Sequence, residues 1–184
     1  KKKKYVIIST GMSTEKEIEN CLKVYKKYKN DKIILLHCVS NYPCSLKSIN
    51  MNVLPRMKKK FNFSVGFSDH SLGHQASVAS VALGARVIEK HFTTNKKFKG
   101  PDHKASSSPL EFKKIVDEIR KLEIIMGNDI KRCQKEELQM LRVSRKSLTL
   151  KKSLKKGDKI RFENLCLRRP GTGLFFKEIK NILG

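Results

Sequence analysis

Tryptophan is missing from this 184-residue chain, and acidic residues are scarce, 17 against 41 lysines and arginines. Without tryptophan, and with no aromatics interleaved among the basic runs, the chain lacks the stacking platform that single-stranded nucleic acid requires. The formal charge of +24 is spread over every segment: Lys1 to Lys4, Lys26-Lys27, Lys58 to Lys60, Lys96-Lys97, Lys113-Lys114 and Lys155-Lys156. Such dispersion reads as solvated faces and lysine-rich composition, with no nucleic-acid partner; polyanion binding is the competing reading. No CxxC spacing occurs among the 5 cysteines (Cys21, Cys38, Cys44, Cys133, Cys166), which argues against a thiolate zinc site or a redox pair. The odd count and the lack of a visible signal peptide fit reduced thiols in a cytoplasmic protein. No apolar run approaches the ~20 residues of a membrane span, so no membrane partner is expected. The chain does not begin with methionine, and it stops at Gly184 directly after Ile182-Leu183. Both ends read as cut.

What the chain does contain is alternation. Tyr5-Val-Ile-Ile-Ser9 is a predicted strand, and Thr14 with Glu17 three residues later forms a capping box. The helix opened there sets Ile18, Leu22 and Tyr25 on one face. Lys32 to Cys38 is a second strand, followed by a short helix around Val53, Leu54 and Met57. Ser64 to His70 and Ala85 to His91 are the third and fourth strands, with an apolar small-residue helix, Gln75 to Leu83, between them. Ser108-Pro109-Leu110-Glu111 combines an N-cap, a proline at the first helical position and a capping glutamate. The helix after it turns Phe112, Ile115, Ile119 and Leu122 inward and ends at Gly127.

Four consecutive βα units with near-continuous apolar strands predict an α/β fold, a parallel sheet covered by helices. A closed (β/α)8 barrel of the TIM type takes about 250 residues, so four units are half of one; a complete four-stranded open sheet is the alternative. Residues 1–127 are thus expected to be the carboxyl-terminal half of a barrel. Residues 128–141 form a helical linker, and 142–184 a small β-rich module with glycine turns.

His70 and His91 close two strands joined by a single helix, so those strands should be parallel neighbours. Neighbouring strands lie about 4.8 Å apart, and imidazoles at both carboxyl ends can reach one ion at ~2.1 Å each. Barrels place their chemistry at such strand ends. The pair is a candidate divalent metal site, set against the alternative of two hydrogen-bonded core histidines. Glu89 precedes His91 by two and shares its side of the sheet, as a supporting carboxylate or as half of a buried ion pair with a lysine.

The runs Ser9-Thr10-Gly11-Met12, Asn41-Tyr42-Pro43, Ser68-Asp69-His70, Glu89-Lys90-His91-Phe92, Gly100-Pro101-Asp102-His103 and Arg169-Pro170-Gly171-Thr172-Gly173 resemble, in order and spacing, those of the sialic acid synthase family. The resemblance extends from about Tyr5 to Gly184. It implies enzymes that condense phosphoenolpyruvate with an N-acylated hexose, such as N-acetylmannosamine, to make nonulosonic acids. It implies a βα barrel followed by an antifreeze-like (SAF) domain that reaches over the partner's active site in a domain-swapped homodimer. By motif, His70 and His91 would hold a Mn²⁺-type ion that polarises the open-chain sugar aldehyde. The methylene carbon of phosphoenolpyruvate attacks that carbonyl, water adds, and phosphate leaves by C–O cleavage. Asp102, Tyr42 and Arg169 would contact the sugar, Arg169 from the SAF domain onto the neighbouring subunit. Ser9, Ser40 and Ser68 would donate hydroxyls to phosphoenolpyruvate, although some members carry asparagine where Ser40 stands.

The family's general-base glutamate and phosphate-binding lysine belong to the first four barrel units, and no residue here replaces either by motif. A chain of this kind is expected to be inactive alone. Another phosphoenolpyruvate-condensing barrel enzyme, or a non-catalytic metal-, sugar- or polyanion-binding fragment, are the competing readings. His37, His74 and His103 receive no role, and Cys38 and Cys44 read as bystander thiols.

Overall fold

In the computed structural model, which describes residues 4–183, local sequence signals set most element boundaries. Strand β1 (Val6–Ser9) leads to helix α1 (Glu15–Lys27). The Thr14 hydroxyl accepts the Glu17 N–H, and the Glu17 carboxylate accepts the Thr14 N–H at 2.7 Å, the reciprocal cap expected from the sequence. Strand β2 (Ile33–Cys38), helix α2 (Val53–Phe61), strand β3 (Ser64–Asp69), helix α3 (Gln75–Ala82), strand β4 (Ile88–Lys90) and helix α4 (Pro109–Met126) follow. The α4 cap is again reciprocal, between Ser108 and Glu111, with Pro109 in the first turn where a missing N–H costs nothing.

The four strands form one parallel half-barrel sheet in the order β1-β2-β3-β4. Each strand alternates its side chains between two faces. Leu35, Val65 and Phe67 point to the helix layer, where Ile18, Leu22, Leu54, Met57 and Ala76 bury against them. From α4, Ile115 is buried, while Phe112, Ile119 and Leu122 are half-buried.

The fourth strand is shorter than the expected Ala85–His91. Residues 85–87 still bond to β3, through Arg86 N–H to Val65 O at 2.7 Å and Phe67 N–H to Val87 O at 2.9 Å. The approach is close because Gly66 has no side chain: a Cβ there would lie 2.5 Å from both Val87 O and Leu36 Cδ2. Beyond the strand, the Ser107 N–H donates to His91 O at 2.8 Å and Thr93 N–H to Ser107 O at 3.0 Å, so a return segment flanks the end of β4.

Contacts divide the chain after Asn128. The second unit begins at Asp129, within the segment 128–141 expected to be a linker. It contains a 3₁₀ turn (Lys135–Glu137), helix α5 (Leu138–Ser144), and an antiparallel pair, β5 (Ser147–Leu150) with β6 (Leu165–Arg168). Two further 3₁₀ turns, Phe162–Asn164 and Phe176–Asn181, flank β6. Among the described residues, no helix is long and apolar enough to cross a membrane.

Candidate active site

Register and alternation together select which polar side chains meet. Cys38, Ser68 and Glu89 are Cα partners across β2, β3 and β4, so they form one row on the face opposite the helix layer. Two residues further along, Ser40, His70 and His91 extend the same face past the strand ends. The result is a cleft of about 530 Å³ whose lining includes Ser9, Ser40, Tyr42, Ser68, His70, Glu89 and His91. Seven of the nine residues singled out in the sequence therefore line one cavity. Of the other two, Asp102 holds a carboxylate oxygen 4.0 Å from His91 Nδ1, outside hydrogen-bond range. Its backbone carbonyl accepts the Ala105 and Ser106 N–H groups and the Ser106 hydroxyl, so it also organises its turn. Arg169 belongs to the second unit, directly after β6.

The imidazoles of His70 and His91 face each other edge-on, with centroids 5.5 Å apart. Tyr42 packs against both, its ring 4.2 Å from His70 and 5.3 Å from His91. His70 Nδ1 lies 2.7 Å from the Val39 carbonyl, which can only accept, so Nδ1 carries the proton. In the neutral ring, Nε2 is then left with a lone pair on the cleft side. Ser68 Oγ lies 3.2 Å from that nitrogen and 2.7 Å from Glu89 Oε1. A hydroxyl has one proton, and the shorter contact to a carboxylate takes it.

These donors fit a divalent ion. A backbone carbonyl fixes the tautomer of His70, one of the partners, with carboxylates and water, that hold the second ring N–H of metal-bound histidines. An ion held at ~2.1 Å by two imidazoles leaves their centroids at most about 6.4 Å apart, which the observed 5.5 Å satisfies. Among the described residues, no group of three or more His, Cys, Asp or Glu could hold a metal. Two imidazoles would thus leave most of the coordination sphere to water and substrate oxygen, the habit of harder cations.

Alternation also explains why His37 stays out of the cleft. His37 is on the helix side, with Nε2 2.6 Å from Ile49 O and its ring 5.9 Å from Phe67. His103 Nδ1 pairs with the Thr93 hydroxyl at 2.8 Å, and His74 stands at the N-cap of α3. Cys38 Sγ accepts the Gly11 N–H at 3.1 Å, and burial beside Asp69 pushes the Cys44 thiol up from its ordinary value.

Two buried charged side chains next to the cleft histidines went unnoticed in the sequence. Asp69 and Lys90, each immediately before a cleft histidine, form an ion pair of 2.9 Å with side chains 0% and 2% exposed. The lysine ion pair considered for Glu89 is thus made by Asp69 instead. Opposite charges at the same offset from two strand-end histidines were the available signal.

Comparison with known proteins follows the same outline. A sequence model of the NeuB family matches residues 1–131. The N,N'-diacetyllegionaminic acid synthase of Campylobacter jejuni is 43% identical over 98% of this chain and 55% of its own length. The pseudaminic acid synthase of the same organism is 41% identical over 100% of this chain and 53% of its own. The chain spans about half the length of the curated relatives it matches. A crystal structure of N-acetylneuraminic acid synthetase from Leptospira borgpetersenii, in complex with citrate, superposes with a TM-score of 0.68 at 36% identity, covering 74% of this chain and 48% of that one.

Proposed function

The chain belongs to the NeuB family, and on that footing we propose that it is the metal- and sugar-binding portion of a nonulosonic acid synthase, condensing phosphoenolpyruvate with an N-acylated hexose such as N-acetylmannosamine. The observation that carries this reading is the His70–Tyr42–His91 cluster at the ends of adjacent parallel strands, with His70 Nε2 left free of a proton.

His70 Nε2 and His91 would hold a Mn²⁺-type ion, which when bound would supply Lewis-acid polarisation of the open-chain sugar aldehyde. Tyr42 closes one side of the imidazole pair and limits how a sugar enters. Ser9, Ser40 and Ser68 offer hydroxyl donors to the anionic oxygens of phosphoenolpyruvate, Ser68 only when its proton turns away from Glu89. Glu89 orients that hydroxyl. The Asp102 carboxylate, beside His91, is suited to accept two sugar hydroxyls. Arg169, in an SAF-like module, would offer its planar fork to the sugar of a partner subunit in a homodimer. The general base and the phosphate-binding lysine belong to a preceding barrel half. The free cysteines suit a cytoplasmic setting.

The test is phosphate release from phosphoenolpyruvate with N-acetylmannosamine or a diacetylated hexose, using this chain combined with the amino-terminal half of a close relative. Mn²⁺-dependent turnover that disappears in His70→Ala and in His91→Ala is expected. Full turnover in chelator-treated, metal-free protein would sink the reading.

A further inference from the structure

Lys90 reaches across the strand boundary and holds the residues on both sides of His70. Its ammonium lies 2.9 Å from Asp69 Oδ2 and 2.6 Å from the Ser71 carbonyl, and Lys90 itself is bonded directly to His91. Asp69 and Lys90 are Cα partners in the β3–β4 register, so their side chains leave the sheet on the helix side while His70 and His91 leave it on the cleft side. Every acceptor of the pair is used. Asp69 Oδ1 takes the Ser71 N–H at 2.8 Å and the Ser71 hydroxyl at 2.6 Å, and Oδ2 takes the Ser77 hydroxyl of α3 at 2.5 Å. Ser71 and Ser77 are themselves buried, at 1% and 0% exposure.

Stability alone does not account for this network. Replacing a buried ion pair by apolar residues of similar volume is often neutral or favourable to folding, whereas removing one partner strands a charge. What apolar packing cannot supply is a directional tie between two chain segments. The Lys90 ammonium fixes the chain at Asp69 and Ser71, the two points that set the direction of His70, and its own backbone sets His91.

We infer that Lys90 and Asp69 are positioning residues, a buried clamp that holds the His70 and His91 imidazoles at the spacing a shared divalent ion needs. The inference rests on the two-histidine metal reading above, but its geometric content does not require a metal. Its effect on binding should match that of other groups that orient metal ligands, roughly a 10- to 100-fold loss of affinity.

The experiment uses the whole chain in two variants, Lys90→Met and the paired Lys90→Met/Asp69→Leu, with His70→Ala as reference. The paired variant leaves no buried charge unpartnered, so it carries the test if the single one fails to fold. Two quantities are read: Co²⁺ affinity from visible absorption, and the His70 ring ¹⁵N shifts in metal-free protein. The clamp predicts that a cooperatively folded paired variant binds Co²⁺ about 10- to 100-fold more weakly. It also predicts that metal-free His70 no longer holds the single Nδ1–H tautomer. A folded paired variant whose His70 spectrum matches the parent overturns the clamp, whatever the metal does. If the parent and His70→Ala take up Co²⁺ equally, the metal reading fails, and the metal-free spectrum alone decides the positioning role.

Discussion

Ser68 gives its one hydroxyl proton to Glu89, across 2.7 Å, while the lone pair of His70 Nε2 waits 3.2 Å from the same oxygen. Glu89 thereby keeps the proton away from the nitrogen a metal would use. In Glu89→Ala that proton turns to His70, and an incoming ion has to break the new bond. A net hydrogen bond is worth ~0.5–1.5 kcal/mol, so Co²⁺ affinity should fall roughly two- to twelve-fold. Adding Ser68→Ala to the same chain should restore it. Titration of both variants checks this, and a loss that Ser68→Ala does not rescue would show that Glu89 acts on the ion directly.

At Gly66, β3 runs close against Leu36 of β2 and against Val87, just before β4. A methyl group there meets the Val87 carbonyl and Leu36 Cδ2 at 2.5 Å, and a backbone carbonyl cannot swing aside as a side-chain end can. Gly66→Ala should therefore destabilise the first unit by ~1–3 kcal/mol, measured by urea unfolding. Since β3 and β4 carry His70 and His91, the variant should also bind Co²⁺ more weakly. Unchanged stability would mean that the strands have slack this packing denies.

The sequence made the helix caps and strand centres legible because those signals are local. Thr14 with Glu17 and Ser108 with Glu111 are written within four residues, and apolar runs such as Ile33 to Leu36 mark buried strands wherever they pair. The candidate cleft was legible for a related reason: strand ends in parallel sheets gather on one side, so Ser9, Ser40, Ser68, His70 and His91 had to converge once the strands were assigned. Register was not legible. Asp69 finds Lys90 only because Phe67 pairs with Ile88, and that offset lies between separate strands, beyond the reach of any local signal. The direction of the Ser68 proton is likewise a property of two strands together. At the end of α4, Ile124, Ile125 and Met126 are 81%, 78% and 54% exposed, apolar residues outside the Phe112, Ile115, Ile119 and Leu122 face that the sequence turned inward.

Acid should weaken the tie between α1 and α2 in a defined window. The Arg56 guanidinium, and then the Lys60 ammonium, hold the Glu15 carboxyl down at about 2 from an ordinary value of 4.5. A depressed carboxyl contributes stability that is fully present above its unfolded value and is lost as pH falls through its folded one. The contribution should be constant above about pH 4.5 and fade towards pH 2. Melting temperatures of the parent and Glu15→Gln should differ near neutrality and converge across that window, with the gap narrowed further by salt because the pair is exposed. Parallel curves down to pH 2 would show that the ion pair adds nothing.

The final prediction concerns the open side of the half-barrel sheet. Among the described residues β1 pairs only with β2, which leaves the far edge of Val6–Ser9 with free N–H and C=O groups. Ile7 is 53% exposed and Tyr5 72% exposed along the same segment. An uncovered edge with apolar side chains is a template for another strand. The end of β4 is better protected, because the Ser107 segment bonds to His91 and Thr93 there. Self-association should therefore run through β1. In sedimentation experiments the chain alone should associate as its concentration rises, and Ile7→Lys should suppress this by placing a charge on the exposed edge. Condensation of phosphoenolpyruvate with N-acetylmannosamine should be undetectable in either form. Losing one positioned acid–base group costs roughly 10²–10⁴ in rate, and phosphoenolpyruvate would also lack its lysine. Supplying the amino-terminal half of a close relative should cover the edge, dissolve the aggregates and restore turnover. A chain that stays monomeric at high concentration and turns over substrate unaided would refute both the open edge and the need for a second half.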